Sequence, residues 1–159
     1  MSVIVHNNYL NTKTLEATAS TQSLRPCPPW LGNFKFRIYG EVYGRSQGKL
    51  PLNLRLAAEH MEKLVPEAFF NAVFLQRYDS GQYVRRHRDP LNNVGCTLIG
   101  YFGNWTGATL QVDNKSYQPM AGDVVQLATT VNGKQGPYHQ VSPVLSGTRW
   151  ALILCSITD

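Results

Sequence analysis

From Phe70 onward the apolar positions fall into short runs, each closed by a turn signal. The runs are Ala72 to Tyr78, Tyr83 to His87, Cys96 to Phe102, Ala108 to Val112, Asp123 to Leu127, Tyr138 to Ser142 and Arg149 to Ile157. Between them stand Asp79-Ser80-Gly81, Gly103-Asn104-Trp105-Thr106-Gly107, Val112-Asp113-Asn114, Ala121-Gly122-Asp123 and Asn132-Gly133. These residue types supply the special backbone angles that tight turns need. Regularly spaced strands of this kind predict an antiparallel sandwich or barrel.

Helical spacing occurs convincingly once. Leu54, Ala57, Ala58, Met61 and Leu64 recur on one face over about 52 to 64, and Leu52 and Leu56 are expected to widen it. Pro51 suits the first turn, and Pro66 follows the end. His60, beside Glu59 and Glu62, is expected at the surface. Phe34 to Tyr43 is a strand candidate broken by Gly40, while residues 7 to 33 are polar, then Pro-rich, and read as irregular. The pattern gives a mainly β (α+β) fold, a distorted jelly roll with a flanking N-terminal helix. A chain of 159 residues is expected to form a single domain, 1–159, with the supporting helix at 51–66 and the jelly-roll core at 70–159.

Composition narrows the class. Apolar residues make up 43% and charged residues 16%, which excludes a disordered tail. No apolar run approaches the roughly 18 residues of a membrane span. The first residues lack the pattern of a signal peptide, so a cytoplasmic monomer without a membrane partner is expected. Cys27, Cys96 and Cys155 are odd in number and lack CxxC spacing, which argues against a disulfide framework or a zinc site. Cys96 and Cys155 sit in apolar runs and read as small hydrophobes.

The net charge of +5 is unevenly spread: residues 1 to 90 hold twelve of the fifteen Lys and Arg against seven acids. Arg85, Arg86 and Arg88 crowd around His87. Positive charge beside a reactive centre favours an anionic partner such as nucleic acid.

The candidate chemistry lies in His87-Arg88-Asp89, a second histidine at His139, and Arg149 ten residues later. Along a strand, residues two apart share a face, so His87 and Asp89 can reach one metal while Arg88 points away. His139 arrives from another strand. Two imidazoles and a carboxylate with no thiolate suit Fe(II) with open positions.

In these motifs the sequence resembles the Fe(II)- and 2-oxoglutarate-dependent dioxygenase superfamily. The stretch from Phe70-Asn71 through Gln76-Arg77-Tyr78-Asp79-Ser80-Gly81 to His87-Arg88-Asp89 is most similar to the AlkB-type branch, which removes alkyl groups from nucleic-acid bases oxidatively. The resemblance implies a double-stranded β-helix, with Fe(II) held by His87, Asp89 and His139, and 2-oxoglutarate and O2 as cosubstrates. It implies that Arg149, Tyr78 and Gln76 bind 2-oxoglutarate. It also implies a substrate-facing N-terminal segment over residues 1–50, with Tyr39, Tyr43, Arg45, Arg86 and Arg88 (and Phe36) as candidate contacts to a base or its phosphates.

Departures pull elsewhere. Where the AlkB-type branch carries a second arginine this chain has Cys155, and where it has an acid near the target base this chain has Leu91. The short interval from His139 to Arg149, with Gly147-Thr148-Arg149-Trp150, resembles the prolyl-hydroxylase-like branch. The function expected first is therefore an oxygenase of a nucleic-acid base, by N-demethylation or base-methyl hydroxylation. The alternatives are a prolyl-hydroxylase-like oxygenase of a protein or peptide side chain and a non-catalytic jelly-roll binding module.

Overall fold

The computed structural model describes residues 3–159. In chain order the elements are β1 (Val3–His6), α1 (Leu15–Ala19), β2 (Arg25–Pro26), β3 (Gly32–Asn33), β4 (Lys35–Val42), β5 (Arg45–Ser46), α2 (Leu52–Glu62), β6 (Ala72–Tyr78), β7 (Tyr83–His87), β8 (Cys96–Gly107), β9 (Leu110–Val112), β10 (Lys115–Tyr117), β11 (Val124–Ala128), β12 (His139–Val141) and β13 (Val144–Cys155). The named pairings are antiparallel and build two sheets. The larger runs β1-β11-β8-β13-β6-β4-β2 with β5 attached to β4, and the smaller runs β10-β9-β12-β7-β3. This is the mainly β jelly roll that the strand pattern predicts.

Side-chain alternation gives the larger sheet two buried faces. Leu98 and Phe102 of β8, Leu75 of β6, and Trp150, Leu152 and Leu154 of β13 pack outward against Leu54, Ala57, Ala58 and Met61 of α2 and Leu15 and Ala19 of α1. Tyr101, Tyr78, Val125 and Leu127 face the other way and meet Val84, Leu110, Val112 and Val141 of the smaller sheet. Covered on both faces, β13 and β8 read as nearly continuous apolar runs, whereas β7, at the rim, does not.

The predicted α2 face holds at Leu54, Ala57, Ala58 and Met61, but Leu52 and Leu56 are more than half exposed. The apolar stripe is thus narrower than expected, because one turn of helix touches the sheet only along positions three or four apart. Residues 7–33, expected to be irregular, contain α1, β2 and β3, elements too short to leave a period. The predicted turn at Gly103 to Gly107 is instead the second half of β8, which continues through Gly103 at φ +106 with the Thr148 carbonyl 2.5 Å from where a Cβ would stand. A glycine there marks a close backbone approach, not a chain reversal. Gly40 behaves alike: β4 passes through it at φ +93 against the Asn71 carbonyl.

Candidate metal and cosubstrate site

The space between the sheets is a cavity of about 390 Å³, lined by His87 at the end of β7 and His139 at the start of β12. His87 and His139 are register partners on these adjacent strands, so their rings meet with centroids 4.3 Å apart. The pairing is irregular: three steps from Val84 to His87 on β7 oppose two steps from Val141 to His139 on β12. Strict alternation would aim Val84 and His87 at opposite faces. The extra residue of this bulge re-phases the strand and lets both point into the cavity.

Asp89 lies beyond the end of β7, in an irregular Pro-Leu-Asn-Asn turn, and not on a strand as the sequence pattern suggests. Its Oδ1 nevertheless comes 3.6 Å from His87 Nε2 and 3.5 Å from His139 Nε2. One ligand atom from each of the three lies within 4.8 Å of the others. Both imidazoles are oriented from behind, His87 Nδ1 on the Arg85 carbonyl at 2.8 Å and His139 Nδ1 on the Pro137 carbonyl at 3.1 Å. A carbonyl can only accept, so each Nδ1 carries a proton, which leaves each Nε2 as the nitrogen facing Asp89 Oδ1 and able to ligate a metal once it gives up its own proton. That is the outer support of a metal-binding histidine.

The electrostatics agree. Burial alone would raise the Asp89 carboxyl, but contacts with His139 and His87 outweigh it and hold it well below the usual carboxylate range. Burial would lower His139, and the Asp89 contact reverses that and raises it. Without a cation, the two groups satisfy each other; a divalent ion would take the proton's place. The donors, a carboxylate and two neutral imidazoles with no thiolate in the group, match Fe(II).

Arg149 occupies the floor of the same cavity on β13, in register with Tyr78 of β6. It is 3% exposed, and its guanidinium carbon lies 4.7 Å from the Tyr78 ring centroid and 4.6 Å from that of Tyr101. Nη1 is buried without a hydrogen-bond partner, and among the described residues no carboxylate forms an ion pair with Arg149. A buried cation with an unpartnered nitrogen and no carboxylate beside it could accept an anionic ligand, since an uncompensated buried charge costs several kcal/mol. One row nearer the triad, β13 presents only the methyl of Ala151, with Gln76 and Tyr101 as its register partners. The Tyr78 hydroxyl donates to Gln76 Oε1 at 2.5 Å, and burial pushes that hydroxyl's pKa well up, partly offset by Arg149. Tyr78 therefore acts as a neutral donor.

Other expected contacts divide. Tyr43 and Arg88 line the cavity mouth with Trp30, Leu31, Pro90 and Asn92. Tyr43 sits at φ +53 in the turn between β4 and β5 and accepts a 2.6 Å hydrogen bond from Asn92 Nδ2. Arg86 and Arg88 stack on Tyr138 at 3.9 and 4.5 Å, and of these three only Arg88 lines the cavity. Arg45 is exposed on β5 and Phe36 packs near Phe34 and Phe74; neither lines the cavity. Tyr39 is a correction: 1% exposed, it faces the α1–α2 layer and donates to Gln22, so it cannot touch a substrate. The reason is parity on β4, which turns Tyr39 to the outer face. Within residues 1–50, β1, β2 and β4 are strands of the larger sheet, while Trp30, Leu31, Phe34 and Tyr43 line the cavity. Sequence reasoning missed Tyr101, Trp30 and Asn93, although the alternation Thr97, Ile99, Tyr101 on β8 would have placed Tyr101 indoors.

Comparison with protein-family models and with curated proteins returns no match. Solved structures do match across nearly the whole chain. A prolyl hydroxylase from Trichoplax adhaerens, in complex with a peptide fragment of the hypoxia inducible factor oxygen degradation domain, gives a TM-score of 0.75 at 13% identity, covering 98% of this chain and 83% of that one. A 2OG-Fe(II) oxygenase family oxidoreductase from Burkholderia pseudomallei gives 0.71 at 16%, covering 97% and 84%. A prolyl-4-hydroxylase from Pseudomonas putida gives 0.69 at 12%, covering 98% and 92%. At these identities the likeness is one of fold.

Proposed function

We propose that this chain is an Fe(II)- and 2-oxoglutarate-dependent oxygenase that hydroxylates a C–H bond of a peptide side chain. The observation that carries the chemistry is the pairing, in one cavity, of a His87/Asp89/His139 cluster with the buried, unpaired Arg149 guanidinium. His87, Asp89 and His139 would hold the iron. Arg149 would bind the distal carboxylate of 2-oxoglutarate through charge-assisted hydrogen bonds, with Tyr78 and Gln76 beside it. Iron, 2-oxoglutarate and O2 together supply the oxidising power for C–H hydroxylation, with succinate and CO2 as coproducts. The protein binds, orients and shields. Ala151 leaves the floor open for a slender dicarboxylate, and the Tyr78 and Tyr101 rings keep water from the guanidinium.

Three observations support a peptide over a base. The solved relatives include prolyl hydroxylases, one of them bound to a peptide. This chain has Cys155 and Leu91 where the base-demethylating pattern has an arginine and an acid. The cavity mouth is largely apolar and aromatic, with Trp30, Leu31, Tyr43 and Pro90. A second reading, a nucleic-acid base, is favoured by the Arg86 and Arg88 guanidinium groups flanking Tyr138 beside that mouth. The test is succinate release, with mass spectrometry of products, against proline-containing peptides and methylated single-stranded oligonucleotides. Hydroxylated peptide supports the first reading, formaldehyde or modified base the second, and no turnover with either leaves the binding module.

A further inference from the structure

Two of the three candidate ligands, His87 and His139, are fixed by strand pairing, but Asp89 has no ladder partner to aim it. Two side chains do that work instead. Gln135 Nε2 donates to the Asp89 backbone carbonyl at 3.0 Å, and Asn93 Nδ2 donates to the carboxylate oxygen Oδ2 at 3.3 Å. Asn93 is 7% exposed and is itself anchored through its backbone: its N–H donates to Pro90 and its carbonyl accepts from Thr130 N–H. The same amide nitrogen lies 3.3 Å from Thr97 Oγ1 and 3.8 Å from Cys155 Sγ. The neighbours fix the amide orientation, because turning it over would set its oxygen against a carboxylate.

We propose that Asn93 is the positioning residue of the metal centre, holding Oδ2 of Asp89 so that Oδ1 alone is presented between the two imidazoles. This rests on the reading of the triad as a metal site and adds a division of labour between the two carboxylate oxygens. Asp89 would then offer a single oxygen, Oδ1, to a metal held with His87 and His139. Cys155, whose thiol burial pushes up to about 12, serves the cluster as a neutral wall.

The test compares wild type, Asn93→Leu, Asn93→Ser and Thr97→Val by titration with Mn(II) and by the visible spectrum with Co(II), alongside melting of the metal-free proteins. Loss of an outer partner of this kind weakens metal affinity about 10- to 100-fold. Asn93→Leu and Asn93→Ser should show that loss and an altered Co(II) spectrum, with metal-free melting close to wild type. Thr97→Val, which spares the contact to Asp89, should retain both. The serine variant keeps a polar group beside Thr97 and Cys155 but is too short to reach Oδ2, so it decides the matter if leucine fails to fold. Wild-type affinity and spectrum in the asparagine variants would overturn the inference and leave the proposed function standing. Failure of the wild type itself to bind metal would overturn both.

Discussion

Arg149→Met separates the cost of a buried cation from its use. The substitution keeps an unbranched stem in the same space and removes the charge. Burying an uncompensated guanidinium costs several kcal/mol, against which the Tyr78 and Tyr101 faces return roughly 2 kcal/mol each when desolvated. The two nearly cancel, so the metal-free variant should melt within a few degrees of wild type. Ligand binding should not survive. Two charge-assisted hydrogen bonds at about 1.5–3 kcal/mol each amount to roughly a 10²- to 10⁴-fold loss of 2-oxoglutarate affinity. The assay is thermal melting with Mn(II), with and without 2-oxoglutarate. At a hundred times its Kd the cosubstrate adds about 2.7 kcal/mol, or roughly 5–11 °C for a chain of this size, to the wild type, and at most about 0.4 kcal/mol to the variant at the same concentration. A variant that kept the full shift would refute the assignment. A metal-free variant destabilised by more than about 4 kcal/mol would show that the guanidinium is a structural element instead.

Further outcomes follow from the same geometry. His87→Ala or Asp89→Ala should abolish metal binding and succinate release while the far-ultraviolet circular dichroism stays native, because both side chains face the cavity and not the core. Ala151→Leu should fill the floor between Gln76 and Tyr101 and block 2-oxoglutarate, measured by calorimetry, with little loss of stability. Metal affinity should fall as pH is lowered, with the fall beginning above the ordinary imidazole value of 6.5. Asp89 raises the His139 pKa, so on lowering pH a proton increasingly occupies the nitrogen the metal needs; titrations in matched buffers check it. Cys155 should resist alkylation in the native state, its thiol being buried and pushed up to about 12, and react only on unfolding, as peptide mapping would show.

How much of this was legible in the sequence depends on the length of each signal. β6 and β7 begin and end where their apolar runs do, and α2 lies where the three-to-four spacing put it. Elements of two to five residues, such as α1, β2 and β3, carry too little pattern to be seen, and β1 pairs with a strand far along the chain. The site shows the same division. That His87, Asp89, His139 and Arg149 would line one cavity was legible, because their residue types and spacing suggest it. That Asp89 would leave the strand, and that a bulge would re-phase His87, was not, since both depend on how β7 meets β12. Tyr39 was misread because an aromatic residue looks alike on either face of β4. Asn93 was overlooked because an asparagine gains its meaning here only from its neighbours in space, whereas the alternation along β8 already carried the signal for Tyr101.

The most direct measurement is anaerobic titration of Fe(II) into the protein, with and without 2-oxoglutarate, followed by visible absorbance. One iron per chain, a charge-transfer band that develops only when the keto acid is present, and loss of both in His139→Ala is the predicted result. A titration with no saturation at one equivalent, or a band unchanged in the histidine variant, would contradict the account.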